Sequence, residues 1–227
     1  MSPKHPSAPL NAALAKLGAA FDERVRRYGD SPQAAEHLDV RSQERRMQLL
    51  AEVGVAPDAK ILDVGCGTGH LLPYLRRNYG FRGEYVGYDL SQEMVSLARR
   101  KFPEARFEQR NLLEDPVTEE FDVTFICGTF NDQMGRNQEL IEDVLRAVKP
   151  ITRRAISFNL LSRYVDYFDP HLYYADPGEV FRFCKEELSP RVSLRHDYET
   201  KPGVVPYEFS VYVYLTDIPC RKLAALP

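Results

Sequence analysis

The stretch ILDVGCGTGHLL, residues 61–72, places three glycines at alternate positions directly after an apolar run: Gly65, Gly67 and Gly69. The apolar run predicts a buried strand, and the residues after the last glycine predict a helix. Glycine has no Cβ, so this glycine turn (residues 65–69) can be tight and can let a ligand approach the main chain. Open α/β sheets bind ligands at the carboxyl ends of their strands. The stretch therefore predicts a ligand site at the end of a first central strand.

Strands and helices alternate along most of the chain after this point. Five strands are predicted by AKILDVG, GEYVGYD, ARFEQRN, FDVTFICGTF and RRAISFNLL, and helices are predicted between most of them, including one over residues 137–148. Such alternation is typical of a parallel sheet with helices on both faces. Two further strands, RVSLRHDYE and EFSVYVYLT, follow a helix that we expect Asp176 to cap. The connection between these two strands is short, so they must form an antiparallel pair.

The N-terminal region is predicted to be helical. Apolar residues recur there at helical spacing, which predicts a helix over residues 11–27: Leu14, Leu17, Phe21 and Val25. Ser31 and Pro32 then predict the start of a second helix, which continues to Glu52.

These patterns divide the chain into four parts. We predict a flexible tail over residues 1–10, a helical cap over 11–54, a main domain over 55–218 with a long loop over 160–178, and a C-terminal tail over 219–227.

The composition is that of a globular protein without a strong charge bias. Hydrophobic residues make up 44% of the 227 residues, and the formal net charge is −3, so no strong field attracts nucleic acid or an anionic membrane. No apolar run approaches the roughly 18 residues that a membrane span needs, and the N-terminus lacks the apolar core of a signal peptide. The four cysteines lie far apart. We therefore expect a cytoplasmic protein with reduced thiols.

Two acids accompany the glycine turn. Asp89 ends the second predicted strand about 20 residues further on, where an acid can accept both hydroxyl hydrogens of a ribose. On its own, Asp89 would be interpreted as an acid flanking the helix that Ser91 begins. Asp63 precedes the turn and would repel the pyrophosphate of a dinucleotide, and Gly69 comes one residue too early for the dinucleotide pattern GxGxxG. A ligand with an ammonium and a sulfonium suits these charges better, which favours S-adenosylmethionine over a nicotinamide dinucleotide.

Four motifs carry a family resemblance over about residues 55–216: LDVGCGTG, YVGYDLSQEM, ARFEQRNLL and FDVTFICGTFN. In this order and spacing they resemble the class I S-adenosylmethionine-dependent methyltransferases. The resemblance implies a Rossmann-like, doubly wound α/β sheet of seven strands, mostly parallel with an antiparallel final pair, helices on both faces and an N-terminal helical lid. The second half of the chain, through FNLLSRYVDYFDPHLYYADP, VFRFCKEELSP and LRHDY, resembles a bacterial branch of that superfamily and implies no particular acceptor.

The resemblance also implies which residues bind the cofactor: Asp63, Gly65, Gly67, Gly69, Asp89, Leu90, Met94, Asn111, Leu112, Cys127 and Thr129. The glycines and Asp63 correspond to the site of the methionine moiety, and Asp89 corresponds to the acid that binds the ribose. Leu90 and Met94 correspond to the positions whose side chains flank the adenine in the family. Asn111, with Leu112, replaces the usual Asp that accepts from the adenine amino group, and its side-chain oxygen can accept the same bond without charge. Cys127 and Thr129 end the fourth strand, beside the methyl group in the family.

Methyl transfer from a sulfonium is an in-line displacement, so the enzyme mainly has to position the reactants. A base is needed only when the acceptor is a hydroxyl or a protonated amine. The candidate catalytic residues are Asn131 after the fourth strand, Tyr167 in the long loop, and His196, which could act as a base near neutral pH. The alternatives are a rigid surface loop for Tyr167 and a structural role for His196. Arg46 could pair with the methionine carboxylate, although we favour a solvated position for it.

The sequence thus predicts methyl transfer to an oxygen or nitrogen atom of a small polar molecule, such as a sugar or a specialised metabolite. No cluster of residues has metal-ligand spacing, so we expect no metal. The motif (Asn/Asp)-Pro-Pro-(Tyr/Phe) is absent from CGTFND, and no basic patch is present, so we expect no nucleic-acid partner. We also expect no membrane partner and a monomer or homodimer. The alternatives are a catalytically silent protein that binds the cofactor and, less favoured, a nucleic-acid methyltransferase.

Overall fold

The computed structural model describes residues 8–31, 39–200 and 203–216. One sheet contains all seven strands: β1 (Ile61–Val64), β2 (Tyr85–Asp89), β3 (Arg106–Gln109), β4 (Phe121–Ile126), β5 (Thr152–Leu161), β6 (Val192–Arg195) and β7 (Glu208–Tyr214). Their order across the sheet is β3-β2-β1-β4-β5-β7-β6. β7 runs antiparallel to both β5 and β6, and the pairs among β1 to β5 are parallel. The predicted sheet, with its antiparallel final pair, is confirmed.

Within the described ranges, six α-helices accompany the sheet: α1 (Ala8–Tyr28), α2 (Val40–Ala51), α3 (Leu71–Tyr79), α4 (Gln92–Lys101), α5 (Asn137–Val148) and α6 (Pro177–Phe183). A short 3-10 turn (Lys149–Ile151) and a π-helical turn (Cys184–Leu188) extend α5 and α6. α6 begins as predicted, because the Asp176 carboxylate accepts the Gly178 N–H at 2.8 Å and the Glu179 N–H at 3.3 Å. None of the helices in the described part of the chain is long and apolar enough to span a membrane.

The core lies on both faces of the sheet because adjacent side chains of a strand point to opposite faces. All four residues of β1 are buried, and Leu62 and Ile61 belong to separate apolar clusters. The cluster around Leu62 includes residues of α5 and α6, and the cluster around Ile61 includes residues of α2, α3 and α4. β1 is therefore a central, buried strand, and the glycine turn that follows its carboxyl end is attached to a rigid part of the fold.

The N-terminal helices differ from their predicted bounds. α1 begins at Ala8 rather than at residue 11, so part of the predicted tail is helical. The unbroken helix predicted from Ser31 to Glu52 is wrong, because Asp39 has an extended backbone and caps α2 by accepting the Ser42 N–H at 2.7 Å. The predicted Pro32 start lies in residues 32–38, outside the described residues, as do residues 1–7 of the predicted tail and residues 219–227 of the C-terminal tail.

The loop after β5 is held against the loop after β4. The Tyr173 N–H donates to the Asn131 carbonyl at 2.7 Å, and the Gln133 N–H donates to the His171 carbonyl at 2.8 Å. Main-chain hydrogen bonds of this kind fix the backbone of both loops. They position Asn131 beside the carboxyl end of β4.

Candidate cofactor site

A cavity of about 180 Å³ lies at the carboxyl ends of β1, β2 and β4. The order of the strands reverses between β1 and β4, and open α/β sheets bind ligands at such a point. Helices α1 and α2 supply part of its wall through Leu14, Leu17, Phe21, Gln43, Arg46 and Met47. Eleven predicted site residues line it: Asp63, Gly65, Gly67, Asp89, Leu90, Met94, Asn111, Leu112, Cys127, Thr129 and Asn131. Three predicted residues do not: Gly69, Tyr167 and His196.

The glycine turn is tight for two different reasons. Gly65 has a φ of +72°, and a Cβ there would lie 2.2 Å from Thr129 Oγ1, so only glycine fits beside the loop after β4. Thr129 is fixed in turn, because its hydroxyl donates to the Val64 carbonyl at 3.0 Å. Gly69 has a φ of +81°, and a Cβ there would lie 2.9 Å from the Phe107 ring. Gly69 therefore serves the packing of the turn on β3 rather than the cavity wall.

Asp89 both supports the turn and faces the cavity. Its Oδ2 accepts the Gly67 N–H at 2.8 Å, and its Oδ1 accepts the Ser91 N–H at 2.8 Å. A carboxylate has about four acceptor sites, so two remain for hydroxyl donors. Burial raises the pKa of Asp89, and the N–H groups of Ser91 and Gly67 oppose that increase. The flanking interpretation and the ribose-binding interpretation are thus compatible.

Asp63 has one oxygen with a partner and one without. The residue is 2% exposed, and the Tyr85 hydroxyl donates to its Oδ2. Its Oδ1 is buried and has no hydrogen-bond partner within the described part of the chain. Burial raises the pKa of Asp63 to about 7; the Tyr85 hydrogen bond opposes this shift, and the charge of Asp89 adds to it. A cationic donor in the cavity would satisfy the orphaned oxygen and stabilise the ionised form, so the residues present fit the ammonium of S-adenosylmethionine.

Another group of residues in the cavity wall is apolar with one amide. Met94 and Leu112 are buried, and Leu90 is half-buried. Asn111 Oδ1 accepts the Leu113 N–H at 3.1 Å, and its Nδ2 donates to Glu114 at 3.0 Å. A carbonyl oxygen has a second lone pair, so Asn111 can still accept from one further donor. This composition fits an adenine ring and its amino group.

Cys127 lines the cavity but is a poor nucleophile. Burial raises the pKa of its thiol to about 12, so the thiol is protonated at neutral pH and lacks the thiolate that reacts. The next residue, Gly128, donates its N–H to Asn159 Oδ1 at 2.8 Å. This hydrogen bond fixes the main chain just after β4, and Cys127 remains a neutral thiol in the cavity wall.

Arg46 is not a solvated helix residue, and our favoured interpretation of it was wrong. Its side chain is 10% exposed and forms an ion pair with Glu208, which is 1% exposed. Arg46 Nε lies 2.8 Å from Glu208 Oε1, and Arg46 Nη2 donates to the Tyr207 hydroxyl at 3.3 Å. Asn159 Nδ2 donates to Glu208 Oε2 at 3.1 Å. The pair fixes α2 to β7, and Arg46 also lines the cavity.

The other two catalytic candidates lie outside the cavity wall. His196 Nε2 is 3.0 Å from the Pro206 carbonyl, and its ring packs against Phe209 with a centroid distance of 5.9 Å. Tyr167 is 71% exposed in the loop after β5. Their catalytic roles stay predictions.

Sequence reasoning missed one further polar group of this site, Tyr85. Tyr85 contacts Asp63 from β2, and its only sequence signal is its place in a strand next to β1. Asp132 lines the cavity, and its pKa is raised by burial and lowered in part by the charge of Arg24. Among the residues that the structure describes, no group of three or more His, Cys, Asp or Glu could hold a metal ion.

Helix α1 and the residues directly after it form hydrogen bonds with both ends of α4. The Ser91 hydroxyl donates to Asp22 Oδ1 at 2.6 Å, and the Glu93 N–H donates to the same atom at 3.0 Å. At the other end, Asp30 Oδ1 accepts from Thr68 Oγ1 at 2.9 Å and from Lys101 Nζ at 2.8 Å. These contacts hold the N-terminal lid against both the glycine turn and α4.

Comparisons with known proteins identify the family of this chain. A family model described as a methyltransferase domain matches residues 61–151. Rv1506c of Mycobacterium tuberculosis, a provisionally named methyltransferase, is 37% identical over 167 residues, which cover 71% of this chain and 96% of that protein. The ubiquinone/menaquinone biosynthesis C-methyltransferase UbiE of Vibrio vulnificus is 24% identical over 185 residues, 72% of this chain and 69% of that protein.

A solved structure shares the fold. Magnesium protoporphyrin IX methyltransferase from Synechocystis PCC 6803, with bound S-adenosylmethionine, aligns with a TM-score of 0.65 at 14% identity and covers 94% of this chain and 100% of that chain. With the matches to the family model and to Rv1506c, this chain belongs to the class I S-adenosylmethionine-dependent methyltransferases and is an enzyme of that kind.

Proposed function

We propose that the enzyme transfers the methyl group of S-adenosylmethionine to an oxygen or nitrogen atom of a small polar molecule, such as a sugar or a specialised metabolite. The observation that carries the cofactor part of this proposal is that Asp63 Oδ1 is buried with no hydrogen-bond partner in the described ranges, while Asp63 lines the same cavity as Asp89 and residues of the glycine turn. Leaving such an oxygen buried without a partner costs about 1–3 kcal/mol, which an ammonium donor would recover.

Each part of the cofactor has a complementary group in the cavity. Asp89 would accept from the ribose hydroxyls, Asp63 would accept from the ammonium, and Asn111 would accept from the adenine amino group. The apolar residues flanking the adenine would be Leu90, Met94 and Leu112, and the main chain of Gly65 and Gly67 would contact the methionine moiety. When bound, the cofactor supplies a methyl group that is open to in-line displacement, and Cys127 and Thr129 would lie beside it.

The acceptor side of the proposal rests on Asn131. Asn131 lines the cavity, and its Oδ1 is buried and has no hydrogen-bond partner within the described residues. An amide oxygen accepts from an O–H or N–H group, so it could orient a hydroxyl or amine acceptor. Asp132 beside it adds a second polar group, which favours oxygen or nitrogen over carbon as the methylated atom. Tyr167 and His196 would contact only an acceptor that extends beyond the cavity.

The proposal also includes a metal-free reaction in the cytoplasm, carried out by a monomer or homodimer without a nucleic-acid or membrane partner. The net charge of −3 supports the exclusion of polyanionic partners.

Calorimetry with S-adenosylhomocysteine tests the cofactor part. We expect the protein to bind this nucleoside and not NAD, and we expect Asp89→Ala to weaken binding by about 1–3 kcal/mol because ribose hydroxyls lose their acceptor. The matched control is Asp58→Ala, which removes an exposed acid outside the cavity. Binding of NAD alone, or an Asp89→Ala variant with unchanged affinity, would contradict the proposed site.

Mass spectrometry tests the transfer itself. A metabolite extract is incubated with the enzyme and with cofactor that carries a labelled methyl group, and products that gain one methyl are identified. Transfer to a hydroxyl or amine of a small molecule is the expected result. Labelling of carbon would replace the proposed acceptor class, and cofactor binding without labelled product would favour a catalytically silent protein.

A further inference from the structure

Resting on the proposed function, we infer that Tyr85 is a positioning residue for Asp63, and that binding of a ligand with an ammonium group releases a proton from Asp63. Tyr85 does not line the cavity, so it acts on the ligand only through the carboxylate. The inference adds to the proposed function a proton-linked step in cofactor binding.

The geometry gives the two Asp63 oxygens different tasks. Tyr85 is 3% exposed, and its ring packs against Phe107 with a centroid distance of 5.8 Å, so the hydroxyl cannot easily turn away. β1 and β2 pair with Ile61 opposite Tyr85, which brings the hydroxyl to Asp63 two residues further along β1. The hydroxyl donates to Oδ2, and Oδ1 has no hydrogen-bond partner among the residues that the structure describes; Asp63 itself lines the cavity. Tyr85 thereby selects which oxygen is presented to a ligand.

The surroundings of Asp63 favour its protonated form when no ligand is bound. Titratable or charged groups approach it from several elements: Tyr85 and Asp89 of β2, Cys66 of the glycine turn, Cys127 after β4, and, beyond Cys127, the ion pair of Arg46 and Glu208. Burial raises the pKa values of both thiols and of the Tyr85 hydroxyl, so these groups are neutral near pH 7. Burial, followed by the charge of Asp89, raises the pKa of Asp63 to about 7.

An ammonium beside Oδ1 reverses this preference. The protonated carboxyl loses its proton to solvent, and the resulting carboxylate pairs with the ammonium, so charge and protons balance. Because the free carboxyl must give up a proton, affinity should fall about tenfold for each pH unit below its pKa and level off above it. Removing the Tyr85 hydroxyl removes a donor that favours the ionised form, so the Tyr85→Phe variant should show the same decline starting at a higher pH.

The test compares two nucleosides that differ in the ammonium. S-adenosylhomocysteine carries it, and 5′-methylthioadenosine has the same adenosine but no amino-acid part. Both are titrated calorimetrically between about pH 5.5 and 7.5, below the α-amino pKa of about 8. Buffers of different ionisation enthalpy give the number of protons released. 5′-Methylthioadenosine is the control for any effect of Asp89 protonation on binding, because it retains the ribose that Asp89 would bind.

We expect S-adenosylhomocysteine to lose about tenfold in affinity per unit below pH 7 and to release a proton on binding near pH 6.5, whereas 5′-methylthioadenosine binds independently of pH. Tyr85→Phe should weaken the first nucleoside several-fold at neutral pH and leave the second unchanged. The matched control is Tyr74→Phe, a buried tyrosine of the same apolar cluster. The proton count of the unmodified protein tests the inference even if Tyr85→Phe does not fold.

Two outcomes would overturn the inference alone: pH-independent binding of S-adenosylhomocysteine without proton release, or a Tyr85→Phe profile identical to that of the unmodified protein. In both, the two nucleosides still bind and the proposed function stands. Failure of both nucleosides to bind would instead remove the proposed function and the inference with it.

Discussion

At Asp63 a buried carboxylate is stabilised on one side only. Tyr85 satisfies Oδ2, and Oδ1 has no partner among the described residues. When the cavity holds no cation, burying a negative charge on this carboxyl group costs free energy and does not stabilise the fold. The residue is therefore better explained by a ligand than by the stability of the sheet.

This imbalance predicts how the Asp63→Asn variant responds to pH. The pKa of Asp63 is about 7 in the folded protein and about 3.9 in an unfolded chain, so its contribution to stability is present below pH 4 and is lost as the pH rises through 7. Asparagine does not titrate. The free energy of unfolding of Asp63→Asn, relative to the unmodified protein, should therefore rise by about 1–3 kcal/mol between pH 5 and pH 8.

Urea unfolding without ligand measures this difference at both pH values. The control is Asp58→Asn at an exposed acid, which should show little change with pH. An Asp63→Asn difference that is equal at both pH values would show that Asp63 is ionised in the unliganded protein.

At the scale of elements, the lid helix α1 depends on close contact with the loop after β2. A Cβ at Gly18 would lie 2.9 Å from the Leu90 carbonyl oxygen. Replacing glycine by alanine inside a helix normally stabilises it by about 1 kcal/mol. At Gly18 that gain competes with a clash against the main chain, so α1 must move away from Leu90.

We predict that Gly18→Ala weakens binding of S-adenosylhomocysteine several-fold without raising the free energy of unfolding. Leu17 and Phe21 stand on the same helix and line the cavity, so a shift of α1 moves both. The comparison is Lys16→Ala, an exposed position on α1. Equal affinity in both variants would show that the close packing of α1 on Leu90 does not affect cofactor binding.

The ion pair of Arg46 and Glu208 joins α2 to β7 in a nearly dry environment. Removing one partner leaves the other charge buried, which typically costs about 3–5 kcal/mol, whereas replacing both by apolar residues is often neutral. We therefore expect Glu208→Gln to be strongly destabilising in urea unfolding. The double variant Arg46→Met with Glu208→Leu should lose less, about 1–3 kcal/mol, because only the buried Asn159 amide then lacks its acceptor. A single variant with unchanged stability would contradict a buried pair.

The regular elements could be predicted because their signals are local. Helix α5 has its predicted bounds, since apolar residues recur at helical spacing and Pro150 follows. The glycine turn was recognisable for a similar reason: its residues are contiguous. The sequence did not reveal that α2 begins only after Asp39. Both Ser31 with Pro32 and Asp39 are suitable helix N-caps, and their local sequence does not distinguish them.

Contacts between distant residues could not be predicted. Arg46 and Glu208 are separated by 162 positions, and nothing in either local pattern announces the pair. The contact between Tyr85 and Asp63 depends on the register of β1 against β2, which alternation does not determine. The prediction for His196 rests on its residue type and its place at the end of the sixth predicted strand, and in the fold its ring nitrogen lies near the Pro206 carbonyl.

At the scale of the whole molecule, the strand order explains why these residues meet. The reversal between β1 and β4 opens the sheet edge where the glycine turn, Asp89 and Asn131 converge. Two N-terminal helices then complete the wall of the cavity. The same sheet edge thus brings to one space the residues that we propose as the ribose acceptor, the ammonium acceptor and the amide that binds the methyl acceptor.

A crystal structure of the protein with S-adenosylhomocysteine tests this arrangement most directly. We expect ribose hydroxyls hydrogen-bonded to Asp89 and the ammonium against Asp63 Oδ1, the carboxyl oxygen to which Tyr85 does not donate. A nucleoside bound elsewhere, or one whose ribose turns away from Asp89, would contradict it.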